Sequence, residues 1–387
     1  MKLLHTSDWH VGKTLRGRSR IEEHRAVLAE IASIAAAESV DVVLITGDLF
    51  DTSAPGPDAE RVCWQALLDL EATGAQVVAI AGNHDSERRL EAVEPLLRRG
   101  GRITLRPSVT LAADGAVVDV RTAAGEDVQI ACVPFMSQRN AVRANKLMSL
   151  DASAQVQAYA ATFEAVVRNV ITGFRPGAVH IAAAHAFVQG ATVGGSERVA
   201  HTALGYAVSH AIFPSSTHYV ALGHLHRAQP VGRDTVRYAG APLQLDFGEA
   251  GHGCSVTIVE ATASTPARVK EIPLTSGRPL VEVRGTLAQL AIDAASVPPD
   301  AHVKVRAVAA ARVGLADEVR SLFAPGAVID VLVERPDGEG VATGTAERRI
   351  GRTPAELLAS YLDDRNARDP AVEALFAELL EDASHAS

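Results

Sequence analysis

Five short islands carry the residues whose types and spacing could do chemistry: Asp8-x-His10, Gly47-Asp48, Gly82-Asn83-His84-Asp85, His185 and Gly223-His224-Leu225-His226. Imidazole, carboxylate and amide oxygen in one set suit borderline divalent metals such as manganese, iron or zinc. Asp8, His10, Asp48, Asn83, His185, His224 and His226 are too many donors for one tetrahedral ion, and they fit two ions that share one carboxylate. Ions about 3.5–4 Å apart can clamp the attacking and leaving oxygens of an in-line displacement at phosphorus, and metal binding lowers the pKa of a water from about 15.7 to about 7. Taken singly, the islands are weak: Asp48 could cap a helix, and His185 could be a hydrogen-bonded core histidine. G-N-H-D and G-H-x-H are more specific, because each sets several donors on one turn. All five together point to metal-assisted phosphoester hydrolysis.

Each island follows an apolar run: Leu3-Leu4, then residues 42–45, 77–80, 181–184 and 220–222. In open α/β sheets, ligand sites lie beyond the C-terminal ends of the strands, so the islands are expected to meet at one sheet edge. Over the first 100 residues, strand patterns (2–6, 41–46, 76–81) alternate with helical ones (20–39, 58–72, 86–98), which predicts a layered α/β domain with a largely parallel inner sheet. Two more strands are expected between residues 115 and 134, a helix over 152–172, a strand over 178–184, and mostly strands from 218 to 274. Thr275-Ser276-Gly277-Arg278-Pro279 reads as a linker, after which strand and helix patterns alternate again to residue 333. The expected organisation is an α/β core over residues 1–275 with β-sheets flanked by helices, a small α/β domain over 279–334, a polar linker over 335–351 and helices over 352–387.

Composition narrows the class. Hydrophobic residues make up 47% of the 387 and charged residues 21%, as in a folded globular protein. No apolar run approaches the ~20 residues needed to span a bilayer. The first residues also lack the apolar stretch of a secretion signal, so no membrane and a cytoplasmic, nucleoid-associated location are the expectation. Cys63, Cys132 and Cys254 stand far apart without a C-x-x-C pair, and they read as small buried thiols rather than a zinc or redox motif. The net charge of −9 argues against strong nucleic-acid binding by this chain alone, because phosphate contacts need Lys and Arg.

The islands in this order resemble the calcineurin-like metallophosphoesterase superfamily. Three longer stretches are similar to its SbcD nuclease family: His5-Thr6-Ser7-Asp8-Trp9-His10-Val11-Gly12-Lys13, Gly82-Asn83-His84-Asp85-Ser86-x-x-Arg89-Leu90, and Ala221-Leu222-Gly223-His224-Leu225-His226-Arg227-Ala228-Gln229. The segment Arg237-Tyr238-Ala239-Gly240-Ala241-Pro242 matches as well. The resemblance implies that Asp8, His10 and His226 hold a first ion, that Asn83, His185 and His224 hold a second, and that Asp48 bridges them. Manganese is the expected metal. The resemblance also implies that His84 serves the leaving oxygen rather than a metal, and Asp85 is expected to orient it. Asp51 is assigned no role.

The metal core does not name the substrate. Lys13, Arg16, Arg18 and Arg20 crowd the loop after His10 with no acidic residue among them, and are expected to form a flexible basic loop that tracks DNA phosphates. Arg88, Arg89, Arg139, Arg143 and Lys146 could extend that surface. The resemblance implies a double-strand exonuclease and single-strand endonuclease, a homodimer within a heterotetramer with an SbcC-like ATPase. Val372, Leu375, Phe376, Leu379 and Leu380 make one apolar stripe suited to docking on that ATPase. Two other readings stand beside this one. A stand-alone phosphoesterase acting on nucleotides or small phosphodiesters would not need residues 279–387. A non-catalytic module of the same fold would be expected to lack some of the donors that are present here.

Overall fold

The computed structural model describes residues 1–137, 158–195, 197 and 206–335, and beyond them only Leu358, Tyr361, Leu362, Asp369, Val372, Leu375 and Phe376. The strands are β1 (Lys2–Thr6), β2 (Thr14–Leu15), β3 (Arg18–Ser19), β4 (Val42–Ile45), β5 (Gln76–Ile80), β6 (Ile103–Arg106), β7 (Val117–Arg121), β8 (Asp127–Val133), β9 (Val179–His185), β10 (Tyr219–Gly223), β11 (Gln229–Val231), β12 (Arg233–Tyr238), β13 (Ser255–Thr262), β14 (Thr265–Pro273), β15 (Leu280–Gly285), β16 (His302–Val308) and β17 (Val328–Glu334). The helices are α1 (Ile21–Ala37), α2 (Pro57–Ala72), α3 (Glu87–Leu97), α4 (Ala158–Ile171), α5 (Leu287–Asp293) and α6 (Leu315–Ser321).

Two six-stranded sheets carry the islands, where the sequence patterns suggested one inner sheet. The first runs β14-β13-β1-β4-β5-β6 and the second β11-β12-β10-β9-β8-β7. In the first, β1, β4, β5 and β6 are parallel, and β13 and β14 add an antiparallel flank. In the second, β8, β9, β10 and β12 are parallel, with antiparallel partners at both edges. Central strands are apolar on both faces because both faces are covered. Leu3, Val42, Leu44, Val78 and Ile80 of the first sheet pack on Val128, Ile130, Val179, Ile181 and Tyr219 of the second. The opposite faces, carrying Leu4, Val43, Ile45 and Val77 on one sheet and Ala131, Ala182 and Val220 on the other, pack on α1 and α2 and on α4. The order is helix, sheet, sheet, helix.

Strand polarity brings the islands together. Asp8 follows β1, Asp48 follows β4, Asn83 follows β5, His185 ends β9 and His224 follows β10. Three islands therefore leave one sheet and two leave the other, at a shared C-terminal rim.

After residue 279 a smaller unit has its own core. Its parallel sheet β15-β16-β17 buries Val303, Val305 and Ala307 against Leu290 of α5 and Leu315 and Val319 of α6. A capping box at Thr286 and Gln289 starts α5 by satisfying two backbone N–H groups that the helix would leave unpaired. This unit meets the larger one through the β2–β3 hairpin, which stands where a flexible basic loop was expected. No helix among the described residues is long and apolar enough to cross a membrane. The linker expected over 335–351 lies outside the described residues except for Arg335, as do Leu379, Leu380, Arg139, Arg143 and Lys146. Of the apolar stripe, Val372 and Leu375 are exposed and Phe376 is partly exposed.

Candidate metal centre

The backbone is held in an uncommon conformation at the rim. Asp8, His10, Asp48 and His224 all have positive φ, at 53°, 46°, 51° and 106°. Such angles cost roughly 1–3 kcal/mol each for non-glycine residues and persist only where the surroundings over-determine them, typically at functional sites. Two glycines make room for this packing. A Cβ at Gly82 would collide with the Asp48 carboxylate, and one at Gly223 with the Thr46 carbonyl.

The donors converge in two groups joined by Asp48. His10 Nε2 and His226 Nε2 lie 3.1 Å apart, and Asp8 completes this group. Asn83 Oδ1 lies 2.9 Å from His185 Nε2 and 2.8 Å from His224 Nδ1, forming the second. Between them, Asp48 Oδ2 stands 3.5 Å from both His10 Nε2 and His185 Nε2. The other Asp48 oxygen accepts the His84 backbone N–H at 2.8 Å, and the Asp8 carboxylate accepts that of His224 at 3.0 Å.

The atoms turned away from the centre set the ring orientations. His185 Nδ1 donates to the Thr46 carbonyl at 2.7 Å, and His226 Nδ1 lies 2.7 Å from Glu249 Oε1. His10 Nδ1 lies 3.5 Å from Asp51 Oδ1. For His185 and His226, a partner on Nδ1 turns Nε2 toward the centre as a candidate metal ligand.

The electrostatics fit a cation. Asp8 and Asp48 are buried, and among the described residues no Lys or Arg forms an ion pair with either. Burial pushes the Asp8 carboxyl well above its usual range, and neighbouring Asp48 adds to this. For Asp48, burial is outweighed by His185, His10 and His84, which hold its carboxyl low. Burial lowers His10 to about 4 and also lowers His185, so both offer neutral lone pairs. Burial opposes protonation of His226 too, but the Glu249 and Asp8 carboxylates raise it to about 9. Two buried carboxylates beside the neutral imidazoles of His10 and His185, with Glu249 adding negative charge behind His226, are a donor set that suits a divalent metal.

His84 stands beside this group, its ring 4.6 Å from that of His10. A ring nitrogen of His84 also lies near ligand atoms of His10 and Asp48, and its Nδ1 donates to the Asp51 backbone carbonyl at 2.6 Å. This corrects the expectation for Asp85. Asp85 instead accepts backbone N–H groups of Gly82, Leu49 and Phe50 at 2.9, 3.2 and 3.0 Å, tying two rim loops together. Burial and the nearby Asp48 raise its carboxyl to about 7. Asp51, to which the sequence assigned no role, contributes its carbonyl to His84 and its carboxylate to Lys13 at 3.1 Å. Its position three residues after Asp48 was the available signal. Glu249 and Glu197 were missed because nothing local marks them. Glu197 is buried and accepts the backbone N–H groups of Gly194, Gly195 and His226.

Of the basic cluster, Arg20 is corrected. Arg20 is only 2% exposed, and its guanidinium meets both Glu23 oxygens, at 3.2 and 2.7 Å, and the Gln244 carbonyl. Arg18 donates to the Gly326 carbonyl at 2.6 Å, and Arg16 lies 3.4 Å from Asp330. Lys13 pairs with Asp51. These side chains hold the hairpin and the small unit to the core. Arg89 likewise pairs with Glu60 at 2.7 Å.

Residues 1–228 match the calcineurin-like phosphoesterase family. The chain belongs to that family. It is 37% identical to the SbcD subunit of the SbcCD nuclease of Bacillus subtilis, over 73% of this chain and 72% of the relative. The protein of the same name from Rhodobacter capsulatus is 34% identical over 76% of each chain. That from Escherichia coli K12 is 28% identical over 75% of this chain and 72% of the relative. Within the family the chain groups with these SbcD nucleases, and it is a hydrolase that depends on divalent metal.

Proposed function

We propose that this protein is a metal-dependent DNA nuclease, acting as a double-strand exonuclease and single-strand endonuclease with an SbcC-like ATPase. The observation that carries the metal chemistry is the pair of donor groups joined through Asp48 Oδ2, 3.5 Å from an imidazole of each. Asp8, His10 and His226 would hold one ion; Asn83, His185 and His224 would hold the other, with Asp48 between them. Two divalent ions, manganese by preference, would supply Lewis-acid stabilisation and an activated water at phosphorus.

The chain's own residues supply the rest. His84 would give a proton to, or share one with, the departing oxygen through Nε2, and the hydrogen bond of its Nδ1 to the Asp51 carbonyl supports this reading. Asp85 holds in register the loops that carry Asp48 and Asn83. The net charge of −9 disfavours a phosphate backbone, and Arg16, Arg18 and Arg20 are paired within the chain. Both facts favour DNA being held jointly with a partner, in keeping with the relatives' name as one component of SbcCD.

The test uses metal-stripped full-length chain titrated with Mn²⁺, followed by digestion of linear duplex with and without the ATPase and ATP. The expected result is two ions bound, with cleavage lost in Asp48→Ala. Full activity with one ion at saturation would refute the two-metal assignment. A chain active on nucleotides but inert on DNA, even with its partner, would refute the substrate.

A further inference from the structure

One buried carboxylate connects the rim to the small unit. Glu249 is 3% exposed and closes the single 3-10 turn Phe247–Glu249. Its Oε1 lies 2.7 Å from His226 Nδ1, and its Oε2 accepts the Leu245 backbone N–H at 2.7 Å. Both oxygens are therefore committed, and the turn determines where the imidazole sits. The opposite ring nitrogen of His226 is the one that faces His10.

The turn is supported by the small unit. Phe247, 5% exposed, packs in a separate apolar cluster with Leu15 of the hairpin and Leu280 of β15, and Ile329 of β17 leans on the same cluster. Lys304 of β16 places its ammonium 5.8 Å from the centre of the Phe247 ring, within cation–π range. The Leu280 backbone N–H donates to Gln244 Oε1 at 2.7 Å, just before the turn. All three strands of the small sheet thus contribute a side chain to this contact.

We propose that Glu249 is the positioning residue for His226, and that the small unit, by buttressing the Phe247–Glu249 turn, controls how tightly the Asp8–His10–His226 group holds its ion. This rests on the two-metal assignment above. Loss of an outer partner of a metal-ligating histidine typically lowers metal affinity about 10–100-fold. Because Glu249 touches only one of the two donor groups, the loss should fall on one of the two ions. The small unit then has a role in the centre itself, apart from any contact with substrate.

The experiment is Mn²⁺ binding by calorimetry on full-length wild type, His226→Ala, Glu249→Ala, Glu249→Gln and Phe247→Leu, with thermal melts of each. His226→Ala identifies which binding step belongs to its group. Glu249→Ala is expected to weaken that same step about 10–100-fold and leave the other within about twofold. Glu249→Gln should recover part of the loss, since its one amide oxygen can accept the Nδ1 proton while its NH2 cannot accept the Leu245 N–H. Phe247→Leu, which keeps an apolar filling, should weaken the same step less while melting near wild type. Unchanged affinity in Glu249→Ala, or a loss falling on the other ion, would overturn the proposal. So would Phe247→Leu binding both ions as wild type does, for the part assigned to the small unit. A wild type that binds a single ion would instead refute the two-metal assignment, and the ratio of Glu249→Ala to wild type would still judge Glu249.

Discussion

Replacing Arg20 with methionine separates a structural arginine from a DNA-binding one. The guanidinium is buried, neutralised by both oxygens of Glu23, and bonded to the Gln244 carbonyl beside the Phe247–Glu249 turn. Removing one partner of a buried pair costs about 3–5 kcal/mol, mostly because the remaining charge is left uncompensated. Glu23 keeps His302 at 2.8 Å, so the lower end, about 3 kcal/mol, is expected. At about 2–4 °C per kcal/mol for a domain of this size, Tm should fall by roughly 6–12 °C. Circular dichroism melts give the shift, and hydrolysis of a small aryl phosphodiester at 20 °C reports the state of the centre. Arg16→Ala and Arg18→Ala, whose pairs are more exposed, should each cost no more than about 1 kcal/mol. Arg20→Met melting with wild type while losing DNA cleavage alone would refute the structural role and restore the phosphate-tracking one.

His84→Gln should leave metal content unchanged while lowering turnover roughly 10²-fold or more, the scale of general acid catalysis; metal loss in that variant, measured by atomic absorption, would show that His84 is a ligand. Asp85→Ala strands three backbone N–H donors in the rim, so urea melts should show a loss of about 2–4 kcal/mol together with activity, whereas a stable but inactive protein would point to direct chemistry instead. Glu23 offers a pH test: burial opposes it, but His302 and Arg20 hold its carboxyl at about 2, below its ordinary 4.5. A depressed carboxylate gives stability that is present above its unfolded pKa and lost as pH falls through the folded one. Wild type should therefore exceed Glu23→Gln by about 1–2 kcal/mol near neutrality, and that gap should narrow between pH 4.5 and pH 2. A pH-independent gap in denaturation midpoints would contradict the pairing.

The candidate donors were legible in the sequence because each island follows or ends a buried strand. Leu3-Leu4 before Asp8 and 77–80 before Asn83 mark strands by composition, and strand polarity then brings the residues after them to one rim. That two sheets rather than one share the rim was not legible. Val128 and Val179 face Val42 and Val78 across a layer boundary, and continuous apolar runs look alike whether a helix or a second sheet covers them. The internal pairing of the basic run was not legible for a different reason. Lys13, Arg16 and Arg18 find Asp51, Asp330 and the Gly326 carbonyl far along the chain, whereas Arg20 pairs with Glu23 only three residues on, at the start of α1.

Long-range partners of this kind also account for the other errors at the site. His84 takes its orientation from a backbone carbonyl, which has no sequence signature, so a neighbouring carboxylate stood in for it. Glu249 lies 23 residues after His226 in a segment otherwise readable as a turn, and only the fold brings its oxygen to the ring. Residues that touch the ions must have particular chemistry and announce themselves by type. Residues that hold those ligands in place need only reach them, and several kinds of group can do so: here a carboxylate at His226, a carbonyl at His185 and at His84. On the proposed two-metal reading, the small unit would reach the centre through this less constrained outer layer, and changes in β15 or β17 would retune one ion without altering any ligand.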